Sequence, residues 1–231
     1  INKKRKLNKL GIIYSRYKLF DKKWLHDSEI NTIIDIGANV GEFTLIFSEL
    51  FPNAYIFAFE PLPDCYTQLE KNTSNREKIK IFKYALGSEN SIEKINASSW
   101  EPASSFRQMG DKHKENYPHS SEHKEIEVKI KKLDDVINPE LIKRNILVKI
   151  DVQGFEDEVI KGGLTIFERA YIVILEVSFI ELYKEEPLFN GIYTLLIGLG
   201  FKFHGSLKQS EDKLNGMYLQ ADCIFINSKI S

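Results

Sequence analysis

The 231-residue chain sets 32 Lys and Arg against 33 Asp and Glu, a formal net charge of -1, with 42% hydrophobic and 28% charged residues. That balance supplies a core and an ordinary polar surface, and it excludes a global field drawing the chain to nucleic acid or to an anionic membrane. No apolar run is long enough to cross a bilayer and no signal peptide is evident, so the expected location is the cytoplasm.

The first two dozen residues of the leader (1–30) are locally basic: Lys3, Lys4, Arg5, Lys6, Lys9, Arg16, Lys18, Lys22 and Lys23. It reads as an amphipathic leader helix with Leu7, Leu10 and Tyr14 turned inward; contact with phosphate or lipid is the alternative. A first strand follows at "TIIDI" (32–36), then a helix from Glu42 that spaces Phe43, Ile46, Phe47 and Leu50 along one face. A second strand, "AYIFAF" (54–59), leads to a helix over 63–73, and "KIKIFKYA" (78–85) reads as a third strand. The apolar runs "NILVKID" (145–151) and "YIVILEV" (171–177), like "TIIDI", read as central strands covered on both faces. Helices are expected over 155–161, stopped by Gly162 and Gly163, and over 188–199, ended by Gly200. "FKFHG" (201–205) and "YLQADCIFI" (218–226) close the series. Strands alternating with helices imply an α/β fold with a parallel sheet between helical layers, one domain over 1–231.

Residues 96–123 break the rhythm and read as an irregular insertion or lid. It is bracketed by "SIEKIN" and "KEIEVKIKKL", whose alternation suggests an antiparallel pair at a sheet edge. Its His113, His119 and His123 read as members of a polar loop; metal or acceptor contact is the alternative. Trp100, Phe106 and Tyr117 offer stacking faces to a flat acceptor or a sugar. Cys65 and Cys223 lie in no metal-ligand spacing and read as buried apolar residues of a reducing compartment. A divalent cation held by carboxylates is chemically allowed, but no compact motif demands one, and no metal ligand is assigned.

The chemistry concentrates at "TIIDIGANVGEFTLIF" (32–47). A strand-to-helix turn with Gly37 and Gly41 is a place where main chain can bend sharply and a ligand can approach. A nicotinamide dinucleotide would need G-x-G-x-x-G; here the string is G-A-N-V-G-E, and Glu42 would repel a pyrophosphate. A phosphate-free cofactor with a cationic centre fits better. Asp35 can order the turn and face that charge, and Glu60, ending the second strand in "FAFEP", stands where an acid grips ribose hydroxyls.

These residues resemble the nucleoside-binding motifs of S-adenosylmethionine-dependent methyltransferases. The fuller set resembles the FkbM methyltransferases: "IDIGANVGEFT" (34–44), "FAFEPLPDCYTQLEKN" (57–72), "ALGSENS" (85–91), "KIKKLDDVI" (129–137), "LVKIDVQGFEDEVIKGG" (147–163) and "VILEV" (173–177). The family more often has Glu where this chain has Gln153. The resemblance implies a Rossmann-like three-layer α/β/α fold. Its mostly parallel seven-stranded sheet would be ordered 3-2-1-4-5-7-6, with strand 7 antiparallel. It also implies O-methylation of a hydroxyl on a sugar or other small-molecule acceptor, with S-adenosyl-L-methionine leaving as S-adenosyl-L-homocysteine. By position, Asp35, Gly37, Asn39 and Gly41 would wrap the methionine moiety and Glu60 would take the ribose. Pro61 and Leu62 would lie beside the adenine, which Ala85 and Leu86 would close. Ser104 and Ser105 match a Ser-containing stretch of the family and would reach the cofactor pocket, and Asp151 would stand near the methionine amine and the methyl.

With that strand order, Asp151, Glu176, His204 and Asp222 would converge beside the cofactor as candidate catalytic groups. Glu156 reads as a helix-opening acid, and Asp134 and Asp135 as caps of a short helix beginning at Val136. Strand four is followed by "DVQGFE" and not by a Pro-Pro-aromatic turn, which argues against grip on a flipped base. A non-catalytic nucleoside-binding module and, more weakly, an NAD-dependent oxidoreductase are the competing readings. Neither a membrane span nor a nucleic-acid partner is expected, and the composition leaves room for a homo-oligomer.

Overall fold

The run Thr32–Ile36, strand β1, is buried at every position, as a strand covered on both faces must be. The computed structural model describes residues 3–98, 104–117 and 123–230. Three short helices precede β1: α1 (Lys3–Lys9), α2 (Tyr14–Phe20) and α3 (Lys23–His26). After it come α4 (Glu42–Leu50), β2 (Tyr55–Phe59), α5 (Pro63–Thr73), β3 (Ile79–Phe82), β4 (Ala85–Leu86) and β5 (Ser91–Ser98). The middle of the chain supplies α6 (Asp111–Asn116), β6 (His123–Lys131), α7 (Leu133–Val136), β7 (Ile146–Ile150) and α8 (Glu156–Lys161). The chain then runs through α9 (Leu164–Arg169), β8 (Ala170–Ser178), α10 (Phe189–Gly198), β9 (Phe201–Glu211) and β10 (Tyr218–Asn227).

A 7-stranded sheet runs in the order β3-β2-β1-β7-β8-β10-β9. Its neighbours are parallel except around β10, which is antiparallel to both β8 and β9. Counted within this sheet, that is the expected 3-2-1-4-5-7-6 order with the last strand reversed. The chain leaves β1 to build one half of the sheet and returns at β7 to build the other. The crevice between their carboxyl ends is therefore the switch point where such sheets bind ligands. A smaller 3-stranded sheet, β4-β6-β5, contains the expected antiparallel pair β5–β6.

Two strand boundaries differ from the pattern reading. "KIKIFKYA" is not one strand: β3 ends at Phe82, and Ala85–Leu86 pairs in parallel with Ile130 and Lys131 of the small sheet. No Gly or Pro separates the two pieces, so nothing local marks the break; a partner far along the chain decides it. β9 does not stop at Gly205 but continues to Glu211. Its second half, "SLKQSE", lies mostly exposed on the sheet's edge and has no apolar signal, and the ladder with β10 holds it extended.

The leader is three helices rather than one. Leu7, Ile12, Tyr17, Phe20 and Leu25 are buried in a cluster with Leu45, Ile46 and Phe47 of α4, with Leu10 and Tyr14 packed against it. The Phe20 ring meets Phe43 and Phe47 edge-on, with centroids 5.5 and 5.2 Å apart. Helix α9 goes unannounced in the sequence. Within the irregular segment the described residues include α6, whereas Trp100 and His119 lie outside them. Cys65 and Cys223 are buried in separate clusters, as expected. No helix among the described residues is long and apolar enough to cross a membrane.

One face of the main sheet shows how a site arises from strand periodicity. Ile33, Leu147, Ile172, Ile174 and Ile224 belong to the apolar cluster under the leader and α4. Because side chains repeat on one face every second residue, Asp35, Lys149, Asp151, Glu176 and Asp222 continue these rows. The face is apolar along its length and charged at one edge.

Replacing Phe20 with Ala should lower stability by about 3–5 kcal/mol, the cost of emptying a large aromatic site. Urea unfolding measures this, and a loss under about 1 kcal/mol would show that the leader contributes nothing to the core.

Candidate functional site

The turn after β1 is built by the chain's own contacts. Gly37 has φ +77°, and a Cβ there would stand 1.9 Å from the Asp151 carbonyl oxygen. Gly41 has φ +93°, and its Cβ would meet the Leu69 side chain at 2.8 Å. Both glycines are thus required by backbone conformation and by packing before any ligand is considered. Asn39, itself at φ +49°, donates its N–H to Glu60 Oε2 at 2.8 Å while its own Oδ1 accepts from the Val40 N–H. Glu60 Oε1 accepts from the Leu62 N–H at 2.8 Å. One buried carboxylate therefore pins the turn after β1 to the turn after β2.

These turns form one wall of a cavity of about 480 Å³, the size of a nucleoside-type ligand site. Gly37, Asn39, Glu60, Pro61, Leu62, Ala85 and Leu86, all expected around a cofactor, line it. Phe106 and Phe155, with ring centroids 4.8 Å apart, extend its apolar half. Three expected cofactor residues do not line it. Gly41 packs on Leu69, as described. Asp35 sits beneath the turn, where Oδ2 accepts from the Thr44 hydroxyl at 2.5 Å and Oδ1 has no hydrogen-bond partner among the described residues; burial pushes its pKa up to about 6. Ser105 is buried with its hydroxyl donating to the Gln153 carbonyl at 2.6 Å, so it braces the wall, and Ser104 is the serine that faces the cavity.

The other half of the cavity is acidic. Asp151, Glu176 and Asp222 all line it, and Asp222 lies opposite Glu176 in the β8–β10 register. Among them stands a residue the sequence reading passed over, Lys149. Its side chain is fully buried, with Nζ 3.4 Å from Asp151 Oδ2, 3.6 Å from Asp222 Oδ1 and 4.8 Å from the Phe43 ring centroid. Burial works against its charge, but Asp151, Asp222, Glu176 and Asp35 outweigh it and hold its pKa above the usual lysine range. Burial, then Asp151 and Asp222, push the Glu176 carboxyl well above the ordinary carboxylate range. A lysine inside the otherwise apolar strand "ILVKI" was the signal available.

Gln153, the departure from the family pattern, is central to this cluster. At φ +56° it sends Nε2 to Asp151 Oδ1 at 2.8 Å and to Glu176 Oε2 at 3.1 Å. Its Oε1 accepts from the Tyr183 hydroxyl at 3.0 Å, and His113 Nε2 lies 3.0 Å from that same hydroxyl. Since Tyr183 spends its hydrogen on Gln153, the imidazole must donate from Nε2. Burial drives the His113 pKa down to about 4, so the ring is neutral and its one N–H is the one used here. His113 is therefore part of a buried relay and not of a polar loop.

Four further expectations are corrected or refined. His204 is exposed near the start of β9 and does not line the cavity. Lys208 of the same strand does line it, about 13 Å further on at the usual rise per residue. The lengthening of β9 beyond Gly205 moved the edge away from the histidine. Asp134 lies inside α7 and caps a different helix, accepting from the Thr165 and Ile166 N–H groups of α9. Asp135 accepts from the Asn90 amide. Glu156 opens α8 as expected, but its buried Oε1 also accepts from the Val152 and Gly154 N–H groups. No group of three or more His, Cys, Asp or Glu side chains among the described residues is arranged to hold a metal ion.

Comparison with known proteins adds family evidence. The family model described as the methyltransferase FkbM domain matches residues 35–203. The 2-O-methyltransferase NoeI of Sinorhizobium fredii is 29% identical over 171 residues, covering 71% of this chain and 70% of that protein. The hexuronic acid methyltransferase AglP of Haloferax volcanii is 29% identical over 155 residues, covering 66% of this chain and 59% of its own. Among solved structures, methyltransferase FkbM from Methylobacillus flagellatus shares the fold with a TM-score of 0.53 at 10% identity. That match covers 86% of this chain, which spans 44% of that protein's length.

Burial raises the Glu156 pKa from 4.5 to about 7. The folded protein therefore holds a proton that the unfolded chain releases, and stability falls as pH rises through that window. Glu156→Gln keeps Oε1 and removes the titration. Urea unfolding across the window should show the wild-type decline reduced by roughly 3 kcal/mol, the remaining slope being set by the raised carboxyls of Asp35, Glu176 and Glu186 against the lowered His113, which acts in the opposite sense; superimposable profiles would refute the assignment.

Proposed function

Because the chain belongs to the FkbM methyltransferase family, we infer that it transfers a methyl group from S-adenosylmethionine to a hydroxyl oxygen of a sugar or another small-molecule acceptor. The observation that carries this reading is that the Glu60-pinned turn and the Asp151–Glu176–Asp222 cluster face one cavity. The apolar half, with Glu60 at its border, suits a nucleoside whose ribose needs a carboxylate acceptor. The acidic half suits the ammonium and sulfonium charges of a methionine moiety. A pyrophosphate fits poorly, because Glu42 in the first turn of α4 also lines the cavity. Two relatives bear the names of a 2-O-methyltransferase and a hexuronic acid methyltransferase, which supports an oxygen acceptor on a sugar.

When bound, S-adenosylmethionine supplies an activated methyl on a sulfonium. The protein's task is alignment and removal of the hydroxyl proton, and alignment alone contributes on the order of 7–11 kcal/mol in favourable cases. Glu176 is the best-suited base. Burial and two neighbouring acids raise its proton affinity, and a base becomes more effective as its pKa approaches the working pH. The proton leaving the acceptor oxygen would pass to a Glu176 carboxylate oxygen. Lys149 offsets the negative charge on Asp151 and Asp222, and Gln153 fixes the spacing between Asp151 and Glu176.

Two variants separate binding from chemistry. Glu60→Gln should weaken S-adenosylhomocysteine binding by about tenfold or more, the worth of a charge-assisted hydrogen bond, read by calorimetry. Glu176→Gln should lower kcat by about 100- to 10,000-fold, well beyond the roughly tenfold loss of cofactor affinity that one carboxylate's charge can account for. Undiminished turnover would remove Glu176 from the mechanism, and absence of binding by the folded wild-type protein would end the reading altogether.

A further inference from the structure

The cavity's walls have different origins. The residues expected around the cofactor lie within the 35–203 stretch matched by the family model. The wall beside the acid cluster draws on segments outside it: Arg16 from α2, and Lys208, Ser210 and Gln220 from the β9–β10 hairpin, which also carries Asp222. The fold brings these distant ends together, since α2 packs on α4 and β10 pairs with both β8 and β9. Lys208 is the cross-strand partner of Asp222, so the hairpin carries the wall up to the catalytic edge.

The chemistry of this wall is specific. Arg16 is held by Glu42 through Nη1, and among the described residues its Nη2 and Nε make no hydrogen bond. The Arg16 side chain is 47% exposed and Lys208 is exposed, whereas Lys149 in the depth is 0% exposed. Lys208 makes no ion pair among the described residues. Glu42 Oε1 is buried in the same wall with no hydrogen-bond partner among them. Two exposed cations therefore share the cavity wall with neutral donors and acceptors (Ser210, Gln220) and with the less exposed carboxylates Asp151, Glu176 and Asp222.

We propose that this wall is the acceptor subsite and that it selects a sugar carrying one acidic substituent, whose charge is read by Arg16 and Lys208 at the rim. The inference rests on the methyltransferase reading and names its acceptor class. A guanidinium with free donors takes a carboxylate or a phosphate in a bidentate grip. The less exposed acids of the same cavity repel that group, so an anionic sugar enters charge-outward and presents a hydroxyl to Glu176. The unpartnered Glu42 oxygen takes a hydrogen bond from another hydroxyl of the ring. The contrast between exposed cations and less exposed carboxylates thus orients the acceptor as well as attracting it.

The test titrates glucuronate, glucose 6-phosphate and glucose into the full chain saturated with S-adenosylhomocysteine, by calorimetry and saturation-transfer NMR. One or both acidic sugars should bind about tenfold tighter than glucose, the ratio given by one charge-assisted contact. Preference for glucuronate identifies a carboxylate, and preference for glucose 6-phosphate a phosphate. Lys208→Gln and Arg16→Gln should each erode that preference while leaving glucose binding and S-adenosylhomocysteine affinity unchanged. Lys208 is exposed, so its variant keeps the test valid should Arg16→Gln unfold. Equal binding of all three sugars, or a preference that survives both substitutions, overturns the proposal. If S-adenosylhomocysteine itself fails to bind, the methyltransferase reading falls first.

Discussion

The ammonium of Lys149 is the charge around which the acidic half of the cavity is arranged. Strands β7, β8 and β10 each deliver a carboxylate to the same edge, and three such groups in a partly dry cleft repel one another. A cation buried among them keeps the arrangement affordable, because an uncompensated buried charge costs several kcal/mol. The fit is two-sided: the acids keep Lys149 charged against its burial, and Lys149 limits how far the proton affinity of Glu176 climbs. Glu176 retains the most strongly raised proton affinity that the cluster leaves behind. A group with that character on the cavity wall is what the proposed deprotonation of an alcohol requires.

Around this centre the structure uses backbone turns as fixtures. Glu60 spans the turns after β1 and β2, and Gln153, held in a left-handed conformation, spans Asp151 and Glu176. Glu156 closes the loop beneath by accepting from Val152 and Gly154. In each case a side chain satisfies groups that the bent main chain or the carboxylates would otherwise leave unpaired, a need that grows with burial.

The segment between the antiparallel strands of the small sheet also takes part. Its Ser105 and Arg107 bond the carbonyls of Gln153 and Gly154, and His113 supports Tyr183 from behind. Asn116 of α6 accepts from the Lys213 N–H in the connection between β9 and β10. This segment therefore links the loop after β7 to the final hairpin, and its Ser104, Phe106 and Tyr117 form part of the cavity wall. Residues that look featureless in one dimension acquire a role because their partners come from three other parts of the chain.

The sequence by itself determined the α/β class, most element positions, the glycine turn and Glu60. Each depends on local periodicity or on spacing within one strand–turn–helix unit. The family motifs carried the strand order, and with it the meeting of Asp151, Glu176 and Asp222. Only the tertiary structure decided that Lys149 neutralises them, that His204 stands aside, that His113 is buried, and that α2 and the last hairpin wall the cavity. The reason is physical. A buried charge, a lengthened edge strand and a helix docked from the far end of the chain are fixed by partners distant in sequence, and local patterning holds no record of them.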